Sequence, residues 1–247
     1  MDRMIYLAMS SAKQTMLAQS VNSNNLANAT TTGFKQDLEQ QRAMPVYGQG
    51  MASRVYAMSE RPGTDFSAGT LNTTGRSLDM AINGEGWLAV QAADGSEAYT
   101  RAGDLRLDAN GTLTTGAGHP VIGNGGPIVV PPAEAIEIGA DGTISIRPVG
   151  QGSNVLAEVD RIKLVNPAGA DLTKGQDGLI RMKQPGEVAP ADAAVQLVSG
   201  ALEGSNVNTV EAMVKMIELQ RQYEMQVKMM KTAKENDAAA STMMKLA

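Results

Sequence analysis

A chain of 247 residues with 43% apolar content is long enough for one or two domains with a buried core, and too apolar to be wholly disordered. It has no cysteine and one histidine, which excludes disulfides, thiolate zinc sites, cysteine nucleophiles and three-histidine metal centres. A net charge of −5 without a basic cluster argues against nucleic acid as a partner. There is no run of about 18 apolar residues, so direct membrane insertion is not expected. Ser10, Ser11, Lys13, Gln14 and Gln19 interrupt the N-terminal stretch, unlike a cleaved secretory signal. The expectation is a chain that stays in the cytosol or leaves it by a route that reads no such signal.

The first element in chain order is a helix over residues 1–28, capped by Asp2. Ile5, Met9, Ala12, Met16, Gln19, Ser23 and Leu26 step by four and three, the spacing of a coiled-coil seam. The following ATTTGFK ends the helix: its threonines are stiff at χ1, Gly33 offers a left-handed turn, and Phe34 is thrown back as an anchor. Residues 36–71 read as a helical tail to about Met44 and then an extended arm, with only weak strand alternation around Val55 and Ala57.

From Leu71 to about Gly200 the punctuation is dense. Asn83-Gly84, Asp94-Gly95, Asn110-Gly111, Asn124-Gly125, Asp141-Gly142 and Asp177-Gly178 each suit a tight hairpin turn. Between them WLAVQ, AYTRA, LRLD, TLTT, PIVVP, IEIG, TISIRP and RIKLV read as short strands of an all-β module. Their alternation predicts one buried face, with Trp87, Leu88, Val90, Leu105, Leu107, Ile128, Val130, Ile144, Ile146, Ile162 and Leu164 in the core.

Gly204-Ser205-Asn206 breaks the β pattern, and Asn208 with Glu211 three residues on opens a last helix through a capping-box-like pair. Met213, Met216, Gln220, Tyr223, Val227 and Met230 repeat the seam spacing, and Glu211/Lys215 and Glu224/Lys228 are favourable i,i+4 pairs. Of the 16 methionines, most lie in the terminal helices, where flexible thioethers suit either a helix core or a surface packed against non-identical partners. A helix this long outruns a compact β module, so the two ends are expected to find each other or other copies.

Sites for chemistry are sparse. His119 would have to serve any Ser-His-Asp triad, and it sits in the Gly/Pro turn GAGHPVIG, where a solvated or turn-packed imidazole is the ordinary reading. The glycines of GAGHPVIGNGG precede no helix and no lysine, which speaks against a nucleotide loop. Asp79, Glu85, Asp104 and Asp108 are better read as turn carboxylates than as a glycosidase pair.

NSNNLANATTTGFK at 22–35 resembles the signature of flagellar rod, hook and hook-associated proteins, an Asn-Leu-Ala-Asn element before a Thr-x-Gly-Phe-Lys turn. The likeness continues in order through LDMAINGEGWLAV at 78–90, AYTRAGDLRLDANGTLTTGAGHPVIG at 98–123, GPIVVP at 126–131 and GALEGSNVNTVEAMVKMIELQRQYE at 200–224. The start MDRMIYLAM, Trp87 and the GALEGSNV junction look most like the proximal-rod branch, with the distal-rod branch as the alternative.

The resemblance implies an α+β fold: long N- and C-terminal helices pairing as a coiled coil, with an all-β domain inserted between them. The corresponding divisions are 1–35 for the N-terminal helix and turn of an inner core domain, 36–71 for an extended connecting arm, 72–200 for the β domain and 201–247 for the C-terminal helix. It further implies a non-enzymatic rod subunit that transmits torque and leaves the cytosol through the flagellar type III export apparatus without a cleaved signal, to a rod spanning the periplasm. Absence of cysteine suits that compartment. Expected partners are other copies of the chain, other rod proteins and the export apparatus, with no cofactor, small-molecule substrate, metal or nucleic acid. The assembly residues it implies are Asn24, Asn25, Leu26, Ala27, Asn28, Gly33, Phe34, Asn206, Val207 and Asn208, alongside the helix positions Ile5, Met9, Ala12, Met16, Met213, Met216, Ile217, Tyr223, Val227 and Met230. A secreted, oligomeric β-domain carbohydrate binder or hydrolase is the reading from a different class; one histidine, one tryptophan and no aromatic row speak against it.

Overall fold

A computed structural model describes residues 4–45, 55–148, 150, 156–184 and 186–246. The expected cap Asp2 and residues 46–54 of the expected arm lie outside them. The fold is α+β, with a helix toward each end and β structure between, and the chain divides into two compact units.

The first unit comprises Met1–Asn28, Gln36–Asp65 and Val207–Ala247. It contains α1 (Met4–Ala27), a hairpin of β1 (Asp37–Pro45) and β2 (Val55–Thr64), and α2 (Thr209–Leu246). With 38 residues, α2 is about 57 Å long. Asn208 caps it, its Oδ1 accepting from Val210 N at 3.1 Å and Glu211 N at 3.3 Å. Among the described residues no helix is long and apolar enough to cross a membrane.

The helical tail expected to Met44 is instead strand β1. Its helix-forming residues are overridden by antiparallel pairing from Asp37↔Thr64 to Pro45↔Val55, with an irregularity between Leu38 and Gln40. Local propensity does not register a partner about 20 residues away. α1 packs against α2 and against both strands of the hairpin. Its buried row is Ala8, Ala12, Thr15, Ala18, Asn22 and Asn25. Small side chains let the backbone approach its neighbours closely, and the bulkier methionines are left outside.

The second unit comprises Ala29–Lys35 and Phe66–Asn206. β3 (Leu71–Thr73) pairs with Ala201–Glu203, and β4 (Met80–Asn83) pairs with Gln196–Ser199, both antiparallel. β5 (Trp87–Gln91) and β6 (Glu97–Thr100) form a hairpin whose turn is made by Gly95 at φ +82°. This hairpin is central to a five-stranded sheet, in the order Leu164–Val165, β5, β6, Ile180–Met182 and Leu172–Lys174. A three-stranded antiparallel meander of Ala133–Ile138, Thr143–Pro148 and Ala157–Arg161 packs into the same core.

β5 is buried on both faces, not one. Leu88 and Val90 join a cluster with Met80, Leu105, Leu113, Ile128, Ile144 and Ile162, whereas Trp87 and Ala89 join Tyr99, Val165, Leu172 and Ile180. The period of two that puts alternate residues on opposite faces therefore feeds two cores. The expected core residues are all buried except Leu107, 39% exposed at the end of a two-residue strand beside the Asp108–Gly111 turn.

Candidate assembly interface

In the first unit each of the two packed helices keeps a set of apolar side chains exposed. Met9 and Met16 are 54% and 56% exposed, beside the exposed Tyr6 and Leu17, while Ile5 is half-buried and Ala12 buried. On α2, Met213 and Ile217 are each 53% exposed and continue with Val210 and Val214 over the first turns; Val227 is exposed further along. Met216, Tyr223, Gln226 and Met230 are half-buried and, with the inward Ala212, Leu219 and Ala233, follow one another along α2 at steps of four and three. Each helix thus carries two rows, one packed within the chain and one exposed.

The asparagine-rich end of α1 faces inward more than outward. Asn25 is buried; its Nδ2 donates to Asp37 O at 2.9 Å and its Oδ1 accepts from Asp37 N at 3.0 Å. Asn28 N and Nδ2 donate to Asn24 O, closing the helix end, with Asn24 and Ala27 exposed and Leu26 and Asn28 half-buried. Asn22, not singled out from sequence, is buried and donates from Nδ2 to Ala212 O at 2.7 Å, a direct tie between α1 and α2. Val207 is buried and Asn208 is the exposed cap of α2.

In the second unit, Gly33 turns at φ +68°, and its N donates to Glu203 O at 2.8 Å. A Cβ there would lie 2.3 Å from Ala102 N and from Arg101 C, so the position requires glycine on two counts. Phe34 is half-buried under Lys174 Nζ, 3.9 Å from the ring centre, and Phe34 O accepts from Asn206 N at 3.3 Å.

Sequence reasoning missed what lies next to that turn. Lys35 is 2% exposed and Glu203 1% exposed, and Lys35 Nζ donates to Glu203 Oε1 at 2.6 Å and to Ser67 O at 2.7 Å. Arg101 Nη1 donates to the other oxygen, Oε2, at 2.8 Å, and its guanidinium stacks 5.1 Å from the Trp87 ring centre. Burial by itself would raise the Glu203 carboxyl, but hydrogen bonds from Lys35 and Gly69 N and the two cations outweigh it, leaving it ionised below the usual carboxylate range. A lysine closing TTGFK and a glutamate within GALEGSNV, each among small and apolar neighbours, were the available signal.

The chemistry-bearing residues weighed from sequence have structural settings. His119 is half-buried in its turn, its O accepting from Thr115 N at 2.9 Å and its N donating to Thr115 Oγ1 at 3.2 Å. Asp79 is buried and its Oδ2 accepts from Thr74 Oγ1 at 2.7 Å. Among the described residues no group of three or more His, Asp or Glu is placed to hold a metal ion.

Residues 5–35 match the family described as flagella basal body rod protein, residues 81–146 the flagellar hook protein FlgE/F/G D1 domain, and residues 198–243 the flagellar basal body rod FlgEFG protein C-terminal family. The chain is 45% identical to flagellar basal-body rod protein FlgF of Salmonella typhimurium, with 100% of both chains covered. It is 44% identical to FlgF of Escherichia coli strain K12, again over 100% of both. Flagellar basal-body rod protein FlgG of Bacillus subtilis is 33% identical, with 95% of this chain and 96% of that protein covered.

Proposed function

The chain belongs to the flagellar basal-body rod protein family, and from that premise we propose that it is a FlgF-type structural subunit of the proximal rod, built into the assembly by its terminal helices. Full-length identity of 45% to a FlgF protein, against 33% to a FlgG protein, supports the proximal over the distal position. The observation that carries the assembly reading is the second, exposed apolar row on each helix, Met9 and Met16 on α1 and Met213 and Ile217 on α2.

In this reading α1 and α2 pair as a coiled coil through Ala8, Ala12, Ala212 and Leu219, and the outward rows pack against neighbouring copies and other rod proteins. Torque passes along these helix contacts, and the protein performs no catalysis. The chain reaches the periplasm through the flagellar type III export apparatus with its N-terminus uncleaved.

Deletion of residues 1–28 or 225–247 tests this. Either truncation abolishes rod incorporation and motility; a motile strain building a normal rod from either one contradicts the reading.

A further inference from the structure

The chain passes between its two units four times, after Asn28, Lys35, Asp65 and Asn206. Inside the second unit, the segments that begin or end those passages converge on one side chain. From residues 29–35, Gly33 N donates to Glu203 O at 2.8 Å and Lys35 Nζ to Glu203 Oε1 at 2.6 Å. From the segment after Phe66, Gly69 N donates to the same oxygen at 2.9 Å, and Ser67 O accepts from Lys35 Nζ at 2.7 Å. From the segment leading to α2, Gly204 N donates to Thr70 O at 2.8 Å, Asn206 N to Phe34 O at 3.3 Å, and Asn206 Nδ2 to Ser67 O at 3.3 Å. Arg101 then ties the carboxylate to the loop between β4 and β5, with Nη1 on Glu203 Oε2 at 2.8 Å and Nη2 on Gly84 O at 2.9 Å.

The close approach of the segments leaves no slack. A Cβ on Gly69 would lie 2.1 Å from Gly204 O, and one on Gly33 would strike the backbone of Arg101 and Ala102. The carboxylate is 1% exposed, so its three donors are irreplaceable by water without opening the whole cluster.

We propose that Glu203 is a positioning residue: its buried carboxylate is the hub of a junction that gathers every segment through which the chain leaves the β-rich unit, and this junction opens as one piece without unfolding the sheet. The inference rests on the structural-subunit reading for its purpose, because a subunit that carries load between helices and β structure needs a defined point of entry. It does not rest on that reading for its test.

Hydrogen exchange on the purified full-length chain reads the junction directly, through the amides of Gly33, Gly69, Gly204 and Asn206. Ala89 and Leu113, whose amides bond Lys163 O and Ile128 O inside the sheet structure, serve as internal references. Glu203→Gln removes the charge at constant size, and Lys35→Met removes one cation while leaving the Arg101 pair, so one variant remains informative if the other does not fold. In the unchanged chain the four junction amides exchange together and at least tenfold faster, relative to their intrinsic rates, than Ala89 and Leu113, and either variant accelerates the four by one common factor. Junction amides in the unchanged chain as protected as Ala89 and Leu113, or independent responses among the four in the variants, overturn the hub. A truncated chain that still builds a normal rod contradicts the structural-subunit reading, while the exchange result decides the hub on its own.

Discussion

Asn25 treats Asp37 as one strand treats another: its side-chain amide donates to Asp37 O at 2.9 Å and accepts from Asp37 N at 3.0 Å, so a helix side chain closes the first rung of β1. Asn25→Ala removes both hydrogen bonds from a buried position and lowers stability by about 1–3 kcal/mol. Asn25→Asp keeps the acceptor but sets a carboxylate against Asp37 O, and is at least as harmful. Urea denaturation of the purified chain measures both; a midpoint unchanged in Asn25→Ala contradicts the role.

Gly33→Ala is expected to be among the most damaging single changes in the chain. The positive φ alone costs a non-glycine residue roughly 1 kcal/mol or more. The added Cβ would meet main-chain atoms at 2.3 Å that cannot swing aside as a flexible side chain would. Gly95→Ala is the control: it has a similar φ of +82° but open space around the Cβ. Thermal unfolding should show the larger loss at Gly33; equal losses would mean that backbone strain alone is at work.

Much of the β-rich unit is legible in the sequence because its signals are local. TISIRP is the observed strand Thr143–Pro148, and WLAVQ is the observed strand Trp87–Gln91. Five of the six Asx-Gly pairs join antiparallel partner strands, Asn124-Gly125 with its positive φ displaced to Gly126, whereas Asn83-Gly84 links β4 to β5, which lie in different sheets. What was not legible depends on distant partners. β1 is built of helix formers and exists because β2 pairs with it. The buried row of α1 runs through Ala8, Ala12 and Ala18, because packing selects for smallness, whereas an apolar pattern gives more weight to Met9 and Met16. The Lys35–Glu203–Arg101 cluster joins residues 102 and 168 positions apart, and charged residues read locally suggest a solvated surface.

Acid should find Glu203. Its folded-state carboxyl ionises below the ordinary glutamate range, so its contribution to stability is complete above pH of about 4.3 and is lost as pH falls through the depressed folded value. Glu203→Gln loses that contribution at pH 7, by about 3–5 kcal/mol as for a buried pair stripped of one partner. Its unfolding midpoint then falls less steeply than that of the unchanged chain between pH 5 and pH 3. Parallel pH profiles for the two proteins would remove Glu203 from the acid response.

The outward rows of α1 and α2 are where assembly is decided in this account, and Met9→Asp combined with Ile217→Asp probes them directly. Both side chains are more than half exposed, so each change alters the stability of the isolated chain by no more than about 0.5 kcal/mol. Recovery of the double variant in purified basal bodies, together with its unfolding midpoint as monomer, is the deciding measurement. A folded, exported protein absent from basal bodies is the expected result; normal incorporation and swimming would contradict the assignment of these faces to the rod interface.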